Sequence, residues 1–385
     1  MRVLFISDVF FPRVNGVSTS IGTFRADLDR LGVETVLVAP SYPGHDPAAE
    51  RGVVRVASGR VPGDPEDRRM RWASLARAFE KLESERFDLV HIHTPFVAHY
   101  AGVSYARRRG LPCVATCHTF FEEYLHHYLR VLPRRIGRGV ARAFTRAQCA
   151  DVRAVVAPSE PLRQVLRDYG VETPVHVIPT GLPADRFQPG DAQRFRALAG
   201  IPPGRPLVTY VGRLAHEKNI DFLVRAFARV WQAAPDALLV IAGEGPAREP
   251  LRRLVHAQGL AENVRFVGYL DRNTSLLDCY AAAAVFVFAS RTETQGLVLL
   301  EAFAQGAPVV STAELGTTSI LAPACGALVV QEREEPFAAA VVRVLTDSAL
   351  RRTLRDQART YARGWSSLTM AGRLGELYNS LCHVA

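Results

Sequence analysis

The chain has 385 residues, 48% hydrophobic and 22% charged, a globular balance that excludes wholesale disorder and, at this length, suits two domains of about 200 residues each. The net charge of +9 is uneven: Arg134, Arg135, Arg138, Arg142, Arg146, Arg153 and Arg163 lie between Arg130 and Arg167 against only Asp151 and Glu160, so an anionic partner is expected. Cys113, Cys117, Cys149, Cys279, Cys325 and Cys382 form no CxxC pair, and Cys279 and Cys325 read as reduced core thiols of a reducing compartment.

At the N-terminus, Asp8 interrupts MRVLFISDVF too early for a signal-peptide core, so the stretch reads as a first strand. No run approaches the roughly eighteen apolar residues that span a bilayer, which predicts a cytoplasmic protein, or one peripheral on the inner face of the cell membrane. RVLFIS, a helix near Ser20 to Leu31, TVLVAP, FDLVHIH, CVATCH and AVVAPS then alternate, as parallel strands with crossover helices do. VHVIPTGLP closes the series, and DRFQPGDAQRFRALAGIPPGRP reads as a connector.

The alternation restarts with PLVTYVG, a helix from about Asn219 to Ala233, ALLVIAG, VRFVGYL, AVFVFAS, APVVST and ALVVQ. Ile220, Leu223, Val224, Phe227 and Trp231 share one helix face, with Asn219 as the expected N-cap. The chain from Pro336 onward is expected to be helical. The fold class is therefore α/β, with two doubly wound Rossmann-like domains over 1–182 and 183–364 facing each other across a cleft. WSSLTMAGRLGELYNSL predicts a terminal helix over about 365–385 with no readable destination, packing back on the first domain being one option.

Open parallel sheets bind ligands beyond the carboxyl ends of their strands. After AVFVFAS come the loop RTETQ and the helix GLVLLEAFAQ, ended by Gly306 and Pro308. The amide groups of Gln295, Gly296 and Leu297 at that helix start make an anion site, with Glu293 in the loop and Glu301 a turn inside the helix. In the alternative, Glu293 caps the helix and Glu301 is solvated. After PLVTYVG, Arg213 and Lys218 follow Gly212, and two cations there suit a diphosphate; solvated loop charges are the bland alternative. GEGP, Gly243 to Pro246, is a turn signal.

In the first domain, Asn15 and Gly16 follow the first strand, where a glycine lets backbone approach a ligand. A three-glycine dinucleotide fingerprint is absent, which disfavours a nicotinamide enzyme. His118 ends the strand CVATCH, as a site residue or a satisfied structural histidine. His91, His93, Cys117, His126 and His127 match no zinc spacing, so no metal is expected.

With GRLAHEK, TETQGLVLLEA, HIHTP and HTFFEEYLHHYL, the chain resembles, over nearly its whole length, the retaining GT-B glycosyltransferases of family four (group 1). The resemblance implies a nucleotide-sugar donor, a UDP sugar ahead of a GDP sugar, and no cofactor. It implies that Glu293 and His118 contact the transferred sugar, that Glu301 holds the ribose hydroxyls, and that Arg213 and Lys218 bind the diphosphate. Gly16, Gly212, Thr294, Gln295, Gly296 and Leu297 would line the donor phosphates, and Val267, Tyr269 and Leu270 the base. Gln295 stands where many members carry Phe, and TETQG with HTFFEEYLHHYL looks more like the members that glycosylate diacylglycerol or phosphatidylinositol. The implied acceptor is a membrane lipid, with Asp8, Asn15 and His93 on the acceptor side; a soluble or polyprenyl-linked glycan is the alternative.

RVLPRRIGRGVARAFTRA combines arginines with Val131, Leu132, Ile136, Val140 and Phe144, as an interfacial helix does, and also as a solvated amphipathic helix does. RRMRW, Arg68 to Trp72, is a second basic and aromatic candidate. A glycoside hydrolase would use paired carboxylates but not the phosphate-binding cations. Nucleic acid is not expected as a partner, since no stacking aromatics interleave with the arginines.

Overall fold

Successive residues of the first strand, β1 (Arg2–Ile6), enter opposite cores: Val3 and Phe5 pack on one face of the sheet, Leu4 and Ile6 on the other. That two-sided burial is why the strand reads as an unbroken apolar run. The computed structural model describes residues 1–43, 50–61, 64–118 and 134–382, with backbone alone at 64–67 and 134–136. The chain divides into two units, Met1–Gly181 with Ser367–Ala385, and Leu182–Ser366.

In the first unit β1 leads to α1 (Gly16–Arg30), β2 (Glu34–Pro40), β3 (Val53–Val56), the hairpin strands β4 (Ser58–Val61) and β5 (Asp64–Met70), and α2 (Trp72–Lys81). Then come β6 (Leu89–Ile92), α3 (Val97–Arg109), β7 (Cys113–Thr116), α4 (Arg134–Ala150), β8 (Ala154–Ala157), α5 (Glu160–Asp168) and β9 (Val175–Val177). Among the described residues these build a parallel sheet in the order β3-β2-β1-β6-β7-β8-β9. Strand order reverses between β1 and β6, the position where open α/β sheets leave a crevice at their carboxyl edge. Helix α1 starts at Gly16, earlier than the expected Ser20, because Asn15 Oδ1 accepts from Ser18 N at 2.8 Å.

The second unit contains α6 (Ala192–Leu198), β10 (Leu207–Val211), α7 (Ile220–Ala233), β11 (Leu238–Ala242), α8 (Arg248–Ala257), β12 (Val264–Gly268), α9 (Ser275–Ala282) and β13 (Val285–Phe288). It continues with α10 (Leu297–Ala304), β14 (Val309–Ser311), α11 (Thr317–Leu321), β15 (Ala327–Val329), α12 (Glu334–Thr346) and α13 (Ser348–Arg363). The parallel sheet runs β12-β11-β10-β13-β14-β15 and reverses between β10 and β13. Helix α7 buries Ile220, Leu223, Val224 and Phe227 as its spacing predicts. Asn219 precedes it but does not cap it; its backbone is left-handed (φ 57°) and its Nδ2 donates to Ala289 O at 3.2 Å. Cys279 is a core thiol, whereas Cys325 is half-buried in a turn where its Sγ meets Pro323 O.

The last helix, α14 (Ser367–Cys382), belongs to the first unit. Met370, Ala371, Leu374, Leu377 and Tyr378 join Ile21, Phe24 and Leu28 of α1 and the β1 residues Val3 and Phe5 in one core.

Candidate active site

In the second unit the two strands flanking the reversal carry the predicted charges. After β10 the chain turns at Gly212, whose amide donates to Ala242 O at 3.0 Å, and Leu214 N donates to Glu244 O at 2.9 Å. GEGP is therefore more than a turn: Gly243 (φ 132°) lies so close that a Cβ there would sit 1.9 Å from Gly212 O. Beneath this turn Tyr210, fully buried, donates its hydroxyl to Arg213 O at 3.3 Å. Lys218 then ends a short 3-10 turn (His216–Lys218) just before α7.

After β13, Glu293 O accepts from Gly316 N at 2.9 Å, and a Cβ on Gly316 would meet Thr294 at 2.1 Å, so the TETQ loop is pinned by the chain beyond β14. Gly296 (φ 95°) opens α10, which receives no side-chain cap, and Gly306 (φ 73°) follows its end. The capping alternative for Glu293 is thereby set aside; its Oε1 instead accepts from Lys218 Nζ at 2.5 Å, both side chains being 21% exposed. Arg213, Lys218, Glu293 and the α10 start thus stand at the reversal of strand order, the arrangement that holds an anion against cations and a helix N-terminus.

Glu301 is not solvated either. It is 4% exposed, its Oε1 accepts from Arg272 Nη2 at 2.5 Å and its Oε2 from the Tyr280 hydroxyl at 3.0 Å. The Glu301 charge raises the Arg272 guanidinium above its ordinary value, and burial, then Glu301, hold the Tyr280 phenol protonated. Sequence reasoning missed Arg272 and Tyr280. Arg272 follows the strand β12 by a few residues, as Arg213 follows β10, and that placement was its only signal. At the end of β12 Gly268 is left-handed (φ 71°) and Val267 is half-buried, and in the loop that follows Tyr269 is 60% exposed and Leu270 half-buried.

In the first unit His93 and His118 meet, His93 Nδ1 lying 3.1 Å from His118 Nε2. The His93 ring is 4.1 Å from that of His91 and 5.4 Å from that of His118, with Phe5 at 4.6 Å. His91 is fixed on both nitrogens, by the Tyr378 hydroxyl of α14 at 2.5 Å and the Thr116 hydroxyl at 2.7 Å. Burial pushes His91 down to about 3 and His118 to about 4, and depresses His93 as well. His118 is thus neutral near pH 7, suited to exchanging hydrogen bonds with hydroxyls rather than to supplying a charge.

Asp8, placed on the acceptor side by sequence, has a structural task. Its carboxylate accepts from Ala98 N at 3.1 Å and from the Thr94 hydroxyl at 2.8 Å, closing the first turn of α3, whose own N-cap Phe96 gives no side-chain bond. Burial raises its carboxyl to about 6. Asn15 caps α1, and a Cβ on Gly16 would meet nothing within 4 Å, leaving that helix start open to a ligand.

Of the basic segment, Arg138, Val140 and Arg142 of α4 are exposed, Ala141 is buried and Phe144 is half-buried. Arg142 lies 5.1 Å over the Tyr169 ring. Val131 and Leu132, the side chains of Arg134, Arg135 and Ile136, and HTFFEEYLHHYL beyond His118, with His126 and His127, lie outside the described residues. In RRMRW, Met70 is buried and Trp72 is 56% exposed at the start of α2. Among the described residues no helix is long and apolar enough to cross a membrane.

Two Rossmann-like parallel-sheet units, one carrying paired cations and carboxylates at its strand reversal, define a GT-B glycosyltransferase. Residues 14–186 match the family described as Glycosyltransferase Family 4, and residues 191–361 match Glycosyl transferases group 1. The chain belongs to this family of glycosyltransferases. It is 31% identical over 317 residues to alpha-monoglucosyldiacylglycerol synthase of Streptococcus pneumoniae, covering 81% of this chain and 71% of that one. It is likewise 31% identical over 339 residues to a GDP-mannose-dependent alpha-mannosyltransferase of Mycolicibacterium smegmatis, covering 84% and 82%. Among solved structures, Anabaena Alr3699/HepE in complex with UDP and glucose shares the fold, with a TM-score of 0.80 at 17% identity over 99% of this chain and all of that one.

Proposed function

We propose that this enzyme transfers a hexose, glucose or mannose, from a nucleoside diphosphate sugar to a hydroxyl of a membrane lipid such as diacylglycerol, with retention at the anomeric carbon. The observation that carries the reading is the Lys218–Glu293 pair at the strand reversal, beside Arg213 and the start of α10. In this reading Arg213, Lys218 and the amides of Gln295, Gly296 and Leu297 draw negative charge onto the departing diphosphate. That protein-borne positive field makes a metal ion unnecessary to the step. Glu293 meets the donor sugar, and Lys218 holds its carboxylate in place. Neutral His118, steadied by His93, hydrogen-bonds a hydroxyl of the same sugar. Gly16 gives the donor phosphate room, and the backbone of Val267, Tyr269 and Leu270 meets the base. The leaving diphosphate takes the acceptor proton as the new glycosidic bond forms on the same face.

The lipid acceptor is supported by the likeness to a protein named for monoglucosyldiacylglycerol, and by the exposed Arg138, Val140 and Arg142 of α4, which suit an anionic membrane surface. In this reading the protein works peripherally on the inner face of the cell membrane. UDP is the preferred nucleotide, and the GDP-mannose named for the second relative supplies the comparison arm.

The test offers UDP-glucose, UDP-galactose and GDP-mannose to the full chain, with diacylglycerol in anionic or neutral vesicles or with soluble glycans, with and without a chelator. Chelator-insensitive transfer from a UDP sugar to diacylglycerol, together with cosedimentation on anionic vesicles alone, is the expected result. Transfer only to soluble glycans would overturn the lipid reading, and sugar release to water alone would overturn transfer itself.

A further inference from the structure

The Glu301 carboxylate already carries one protein donor on each oxygen, Arg272 on Oε1 and Tyr280 on Oε2. A carboxylate offers about four lone-pair sites, so each oxygen keeps one to give. Two acceptor sites on the two oxygens of one immobile group match two adjacent hydroxyls, whereas a single hydroxyl would fill only one.

The donors are themselves held. Tyr280 is fully buried, with the Phe286 ring 5.6 Å away. Arg272 O accepts from Arg186 Nη1, and Arg186 Nη2 reaches Asn273 Oδ1 at 3.3 Å. Arg186, 8% exposed, is tied through its own carbonyl to Gln305 Nε2 at 2.8 Å. Gln305 is the C-cap of α10, one turn beyond Glu301, so the chain of contacts that starts at Glu301 returns to the same helix. A carboxylate fixed this way loses little orientational freedom when a ligand arrives.

We propose that Arg272 is a positioning residue: it fixes the Glu301 carboxylate as a two-point acceptor for the vicinal diol of a ribonucleotide and so sets a preference for ribonucleotides over nucleotides lacking that diol. This rests on the donor-site reading of the second unit, in which Glu301 holding the ribose hydroxyls is what the family resemblance implies; the role of Arg272 is what the contacts add. Arg272 acts through Glu301, and its planar guanidinium, rather than its charge alone, sets the angle of the carboxylate.

The test titrates UDP and 2′,3′-dideoxy-UDP calorimetrically into the full chain as wild type, Arg272→Ala and Arg272→Lys. Wild type is expected to bind UDP about tenfold or more tighter than the dideoxy nucleotide, the scale of hydrogen bonds to a charged group. Arg272→Ala should bring that ratio to within about threefold by weakening UDP alone, with Arg272→Lys between the two, since lysine keeps the charge but not the fork. Equal weakening of both nucleotides, tighter UDP binding by Arg272→Ala, or an unchanged ratio would overturn the role. Binding of neither nucleotide by wild type overturns the donor-site reading and this role with it. Should Arg272→Ala fail to fold, the Arg272→Lys ratio decides in the same terms.

Discussion

Lys218 Nζ lies 2.5 Å from Glu293 Oε1, the lysine following β10 and the glutamate following β13, the two strands between which the order of the second sheet reverses. Both side chains keep some exposure, so the pair adds only about 1 kcal/mol or less to stability. Lys218→Ala and Glu293→Ala are therefore expected to leave the thermal midpoint nearly unchanged while lowering transfer by about 100-fold or more. Transfer assays beside thermal unfolding check this, and either variant at full activity sinks the assignment.

Glycine replacement separates scaffold from ligand space. A Cβ at Gly243 has no room against Gly212 O and a left-handed φ besides, so Gly243→Ala should destabilise the second unit by about 1–3 kcal/mol. Around Gly16 nothing lies within 4 Å, so Gly16→Ala should keep or slightly raise stability while reducing activity through lost room for the donor phosphate. Urea midpoints and transfer rates, measured together, give opposite patterns for the two variants if both roles are right.

Acid sensitivity follows from the histidine stack. His91 titrates at about 3 and His118 at about 4 in the native protein, against 6.5 when unfolded. The unfolded chain takes up those protons first, so this contribution is full above 6.5 and is lost as pH falls toward 4 and 3, on the order of 2 kcal/mol per histidine by about pH 5. Asp8 runs the other way: its native value of about 6 exceeds 3.8, so its contribution is present below 3.8 and lost as pH rises through 6. Two deeper histidine shifts outweigh one carboxyl, and the urea midpoint of the first unit should drop between about pH 7.5 and pH 5, less so in His91→Gln. A midpoint that rises on acidification would contradict neutral histidines.

Tyr378→Phe removes the hydroxyl from His91 Nδ1 and leaves a buried ring nitrogen without that partner, which should cost about 1–3 kcal/mol. Hydrogen exchange at α14 is the readout, and unchanged protection would show that apolar contacts alone hold the helix.

The strands were legible because buried parallel strands are continuous apolar runs, as in Val3 to Ile6 and Leu207 to Val211. The edge strand β3, VVRV, and the hairpin before α2 were not, since arginine and short length hide them among loop residues. Glu293, Lys218 and Arg213 were readable as strand-end charges; that Glu293 pairs rather than caps needed the sheet order. Arg272 resembles any solvated loop arginine until Glu301 is seen beneath it. Tyr378 and His91 are 287 residues apart, and no local pattern announces their contact.

Because α14 completes the first unit, the segment from Leu182 to Ser366 is, in chain terms, a cassette inserted between two parts of one body. Exchanging it with a relative requires two junctions, one beside Gly181 and one beside Ser367. A fragment that stops at Gly181 would leave Ile21, Phe24 and Leu28 uncovered, a greasy seam inviting aggregation, and a synthetic peptide spanning 367–382 is the piece that would close it.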